Sequence, residues 1–244
     1  MTTTARQVTR TALKMGRTQP GSHMPRSFEA IRRLGLETRI AELAKFGYTV
    51  IPPEQAGTGE LAARLLDRLT ELSTEARGCT PDFAQGLSHA DAVDPVERLD
   101  FLLGKGRVFE EALMQPMVLA LAHYMLGDEA VISSVLARIK GPGRLPLMLH
   151  TDQSVHPAPV PQTCNVSYVL TDYTRENGGL CMLPGSHQLL RNPLPSENFQ
   201  LGGYNRAEAE VALASGEDIE VIDPPGVVAI AVSYTHLRAH ETRR

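Results

Sequence analysis

The sequence predicts an α+β protein in which helices come first and strands follow. Apolar residues recur at helical spacing up to about residue 126. After Gly127 short strand-like stretches alternate with Pro/Gly turns. The two textures do not interleave, so the pattern lacks the βαβ units of a parallel sheet. It fits a helical layer packed on an antiparallel sandwich or barrel.

Each element has a local reason. Residues 1–26 hold Arg6, Arg10, Lys14, Arg17 and Arg26 and no acid, which predicts a disordered, solvated arm. Ser27 is the expected cap of a helix reaching about Phe46, with Ile31, Leu34, Leu36, Ile40, Leu43 and Ala44 as its apolar positions and Gly47 as its stop. Residues 48–51 read as a strand ended by Pro52 and Pro53. Thr58 is expected to cap a second helix carrying Leu61, Leu65, Leu66, Leu69 and Leu72. Residues 77–95 read as a loop, and helical spacing returns over 96–126 with a break at Pro116. Strands are expected at 130–139, 163–170, 179–183, 219–222 and 227–232.

Composition narrows the function classes. In 244 residues, 42% hydrophobic and 21% charged positions are enough for a packed core and argue against disorder. A net charge of −4 excludes a strongly basic nucleic-acid binder. No apolar run approaches the roughly 20 residues of a membrane helix, and the N-terminus lacks an apolar leader, so a cytoplasmic protein with no membrane partner is expected. Cys79, Cys164 and Cys181 form no C-x-x-C pair, which suits a reducing compartment.

The pattern that carries chemistry is His150-Thr151-Asp152. On a strand, residues i and i+2 project to one side, so an imidazole and a carboxylate converge on a single ion. Two histidines and one carboxylate on one face of Fe(II) leave positions open for a co-substrate and oxygen. Alone, His-x-Asp reads first as an ordinary surface pair, and its surroundings alter that reading. Arg138-Ile-Lys140-Gly-Pro-Gly-Arg-Leu-Pro-Leu-Met-Leu leads into it. Asn165-Val-Ser-Tyr168-Val-Leu-Thr-Asp172-Tyr-Thr-Arg-Glu-Asn177-Gly-Gly-Leu-Cys-Met-Leu-Pro184-Gly-Ser-His187 follows.

This ordered run resembles the phytanoyl-CoA dioxygenase family of Fe(II)/2-oxoglutarate-dependent oxygenases, clearly over 130–190 and more faintly over 44–130. The resemblance implies a double-stranded β-helix (jelly-roll) core with N-terminal helices packed on it. It implies Fe(II) and 2-oxoglutarate as cofactors, O2 and a small organic metabolite as substrates, and His150 and Asp152 as metal ligands. No catalytic residue is expected beyond those ligands. Lys140 matches the position that holds 2-oxoglutarate, where an ammonium pairs with a carboxylate; it reads equally as a surface lysine of the Gly-Pro-Gly turn. Asn165, with Ser167, is a further cofactor-binding candidate on the following strand. His187 is expected to be structural within its turn, His156 reads as a loop residue, and His89 and His123 receive no role.

The family also needs a later histidine and an arginine that clamps 2-oxoglutarate. Here the strand at 227–232 runs into Ser-Tyr-Thr-His236-Leu-Arg238-Ala-His240-Glu-Thr-Arg243-Arg244. The transposase adapter of shotgun sequencing libraries, translated in frame, matches residues 232–242 one for one. The expected organisation is therefore an arm at 1–26, one domain at 27–231 (helical part 27–127, jelly-roll part 128–231) and a non-native tail at 232–244. The last core strands would be missing and His236 only a stand-in ligand. A non-catalytic jelly-roll binding protein and a zinc or nickel cupin-like enzyme stay open as alternatives.

Overall fold

The computed structural model describes residues 24–82, 96–140, 152, 161–172, 180–189, 220–221, 228–232 and 236–239. Where one N-terminal helix was expected there are two, α1 (Met24–Arg33) and α2 (Glu37–Phe46). The break is a Schellman motif. Gly35 adopts φ +65, its N–H donates to Arg32 O at 3.2 Å, and Leu36 N–H donates to Ile31 O at 2.9 Å. Ile31 and Leu36 then meet in the core, the hydrophobic contact that accompanies this motif. Ser27 lies inside α1 instead of capping it.

Strand β1 (Tyr48–Ile51) follows, then a single turn of helix α3 (Pro53–Ala56). Helix α4 (Gly59–Arg77) has Thr58 at its N-cap position, buried and without a side-chain capping bond. It turns Leu61, Leu65, Leu69 and Leu72 inward.

The expected helix over 96–126 is corrected at its start. Val96–Leu99 form strand β2, which pairs antiparallel with β3 (Ala137–Lys140). Burial of Glu97 explains the strand. Ser73 Oγ donates to its carboxylate at 2.6 Å and Arg77 Nε lies 3.0 Å away, so α4 supplies both partners of the buried charge. A 3-10 turn (Leu102–Lys105), α5 (Arg107–Leu113) and α6 (Pro116–Leu126) complete the helical half. Pro116 stands in the first turn of α6, where its missing N–H costs nothing. Strand structure in the expected 130–139 stretch begins only at Ala137.

The remaining strands are β4 (Cys164–Tyr168), β5 (Leu180–Leu183), β6 (Glu220–Val221), β7 (Val228–Val232) and β8 (His236–Ala239). Two three-stranded antiparallel sheets form, ordered β1-β7-β4 and β6-β5-β8, besides the β2-β3 pair. The segment expected as a non-native tail thus supplies Val232 of β7 and all of β8. Among the described residues, no helix is long and apolar enough to cross a membrane.

The helical half holds two apolar clusters. One gathers Ile31, Leu36, Leu43, Ile51, Val118 and Leu121. The other gathers the α4 leucines with Leu99, Leu102, Phe109 and Ile139. Tyr168 of β4 packs against both. Its hydroxyl donates to Ala112 O at 2.6 Å, satisfying a carbonyl near the end of α5. Burial holds that hydroxyl's pKa well above the ordinary tyrosine value.

The Pro184-Gly-Ser-His187 turn closes the other open helix end. Gly47 N–H takes the Leu43 carbonyl of α2 at 3.0 Å. Gly185 N–H donates to Phe46 O at 2.8 Å, and His187 Nε2 and Gln188 Nε2 lie 3.2 and 3.4 Å from Ala44 O. The turn therefore serves as a tertiary C-cap for α2. The donor to a carbonyl must be an N–H, so neutral His187 carries its proton on Nε2. Its Nδ1 is buried with no hydrogen-bond partner among the described residues. Burial lowers the His187 pKa, outweighing the Ala44 and Phe46 carbonyls that favour the charged form.

Two outcomes follow from these joints. Tyr168→Phe removes the short hydroxyl bond to the Ala112 carbonyl and leaves it to backbone donors of the following turn, with Gln115 N–H at 3.5 Å; it is expected to cost about 0.5–1.5 kcal/mol in urea unfolding. His187 has a folded pKa below its unfolded value of about 6.5, so the unfolded chain takes up the proton first. Its contribution is complete above that pH and declines as pH falls from there towards the folded value. Urea midpoints at pH 7.5 and 5.5 should differ more for wild type than for His187→Gln.

Candidate metal centre

Strand β4 divides its residues between two surroundings. Val166 and Tyr168 pack against the helical clusters, and Cys164 on the same face is largely buried. That burial pushes the Cys164 thiol up to about 11, so it is a poor thiolate ligand near neutral pH. Asn165 and Ser167 lie on the opposite face by strand alternation. Their register partners on β7 are Ala231 and Ala229.

Asp152 lies at an exposed bend ahead of this strand. Its Oδ2 accepts a hydrogen bond from Asn165 Nδ2 at 2.5 Å. An ionised carboxylate only accepts, so the amide presents its NH2 group, and the bond is charge-assisted. Two of the four expected site residues, thirteen positions apart in the chain, are thereby joined. His150 lies outside the described residues, as do His89 and His156. Lys140 is the last residue of β3, opposite Val96. Alternation assigns position 140 to the strand face opposite the buried Ile139.

Sequence reasoning missed two supports of this site. It assigned β2, the partner strand of Lys140, to a helix, because Val96-Glu97-Arg98-Leu99 sets its apolar residues three apart, as a helix would. It also aimed Asn165 at a co-substrate, and no local pattern signals an amide-to-carboxylate contact at that separation. Of the other histidines, His123 lies in α6 and His236 opens β8 opposite Leu183. Among the described residues, no three metal-donor side chains form a group. An anchored, solvent-facing carboxylate two residues after a histidine fits a hard divalent ion of the iron type.

Comparison with known proteins bears on the same residues. The family model for phytanoyl-CoA dioxygenase (PhyH) matches residues 43–216. Dioxygenase af480 of Aspergillus fumigatus is 32% identical over 161 residues, covering 64% of this chain and 50% of that protein. The chain thus spans half the length of this curated relative. Among solved structures, HygX from Streptomyces hygroscopicus aligns with a TM-score of 0.59 at 14% identity, over 85% of this chain and 81% of its own. The non-heme alpha-ketoglutarate-dependent carbocyclase SnoK from nogalamycin biosynthesis gives 0.57 at 18%, over 84% and 78%. EctD from S. alaskensis gives 0.54 at 17%, over 84% and 70%. These structures share the fold. The PhyH match spans most of the chain, from the end of α2 through the His150-Thr-Asp152 and Pro-Gly-Ser-His runs, and the chain belongs to the phytanoyl-CoA dioxygenase family.

Proposed function

We propose that this protein is an Fe(II)- and 2-oxoglutarate-dependent dioxygenase that hydroxylates a small organic metabolite. The observation that carries the reading is the Asp152 carboxylate anchored on β4 within a His-x-Asp sequence. The antiparallel sheet β1-β7-β4 and the β5-β6 pair support a jelly-roll core around it. HygX has been solved with iron and with nickel and 2-oxoglutarate, and EctD with 2-oxoglutarate, which supports the same cofactors here.

In this reading His150 and Asp152 hold the metal, and Lys140 pairs with a carboxylate of 2-oxoglutarate. When bound, Fe(II) with 2-oxoglutarate and O2 supplies a two-electron oxidation of the substrate, coupled to release of succinate and CO2. The chain's own part is to orient and admit. Asn165 fixes one carboxylate oxygen, and the helices packed behind β4 through Tyr168 keep the strand from yielding.

The reading includes the C-terminus. We hold residues 232–244 to be translated adapter, so that the second histidine and the arginine clamp come from native sequence beyond 231 and the chain as it stands is inactive. Amplifying and sequencing the source DNA past codon 231 is expected to reveal a histidine within about a dozen residues of Gly226 and then an arginine. A native continuation without that histidine, or a genomically encoded adapter-like tail, favours the non-catalytic binding protein.

With its native C-terminus restored, the protein should release succinate from 2-oxoglutarate in a substrate-dependent manner. Asp152→Ala should reduce this to background, and Lys140→Met should raise the KM for 2-oxoglutarate. Absence of turnover together with absence of metal binding would sink the enzyme reading.

A further inference from the structure

We infer that Asn165 is the positioning residue of the metal site, setting the direction in which the Asp152 carboxylate faces. The inference rests on the dioxygenase reading and adds to it a residue that acts on the ligand and not on 2-oxoglutarate. The two partners differ in rigidity. Asp152 lies at a bend outside the strands, whereas Asn165 stands inside β4. The strand is fixed on one side by its full pairing with β7 and from behind by Val166 and Tyr168 packed on the helices. A donor inside a fully paired strand therefore holds an acceptor at a bend.

The chemistry is specific to an amide. A carboxylate has two oxygens with about four lone-pair directions, and rotation about its side-chain bonds would scatter them. A 2.5 Å bond from Asn165 Nδ2 to Oδ2 restricts that freedom and favours one direction for Oδ1. Aspartate at 165 would set two acceptors against each other. An aliphatic side chain would preserve bulk and lose the tether. Groups that orient metal ligands in this manner typically contribute about 10–100-fold to metal affinity.

The experiment is an anaerobic Co(II) titration of the full-length protein, with its C-terminus as the source gene encodes it, followed by visible absorption. Wild type should bind with the d–d bands of a protein-ligated ion. Asn165→Leu should bind about 10–100-fold more weakly, with altered d–d bands, while the melting temperature of the metal-free protein stays within about 2 °C because Asn165 is exposed. Asn165→Ala gives the same comparison if the leucine variant does not fold. Unchanged affinity and bands in a folded variant overturn the positioning role and leave the dioxygenase reading standing. Weakened binding that merely follows a large drop in melting temperature also overturns it. A wild-type protein that binds no Co(II) overturns the dioxygenase reading itself.

Discussion

Tyr168 is the joint on which the arrangement depends. A single side chain touches both apolar clusters of the helical half, and its hydroxyl closes a carbonyl of α5. A buried phenol needs a hydrogen-bond partner, and a helix end needs donors for its last carbonyls. Each requirement meets the other at one 2.6 Å contact. Because Tyr168 ends β4, the position of that strand relative to the helices is set there. Everything β4 carries on its other face inherits that placement.

Helix ends recur as the points where this chain is joined to itself. The α2 terminus is closed first by its own following glycine and then by the Pro184-Gly-Ser-His187 turn, more than a hundred residues away. The turn follows β5, so closing α2 also locates that strand. A short sequence run that looks like a family signature thus has a mechanical use. The histidine in it meets a backbone carbonyl through one nitrogen and keeps the other buried, an arrangement suited to a neutral ring and not to a ligand. The Glu97, Ser73 and Arg77 group does similar work for β2, fastening the β2-β3 pair that ends in Lys140 to α4.

The candidate metal centre follows from strand alternation once β4 is in place. Residues facing the helices are apolar or shielded, and Cys164 among them is held as an unreactive thiol. The opposite face offers Asn165 and Ser167 beside alanines of β7. One strand therefore separates a packed interior from a polar, open surface. Asp152 is attached to that surface by the amide of Asn165. The placement of this carboxylate is a tertiary effect, since Asp152 itself lies at a bend and its partner stands on β4.

Much was legible in the residues themselves. Periodicity located α4, β1 and the later strands, because helical and strand spacing leave direct marks in the order of apolar residues. The run from His150 to His187 pointed to the family, since motif spacing and turn residues are local properties. Other features were settled by contacts between distant residues. Glu97 reads as a solvated helix charge until Ser73 and Arg77 of α4 receive it. The stretch from 27 to 46 reads as one helix until Gly35 turns and Ile31 and Leu36 close a Schellman motif into the core. Asn165 reads as one polar residue on a strand until folding brings Asp152 to it. The sequence by itself determined where secondary structure could form and which residues could bear a metal. Tertiary structure alone decided their partners, because a buried charge, an open helix end or a free carboxylate is satisfied only by the groups that folding brings within hydrogen-bond reach.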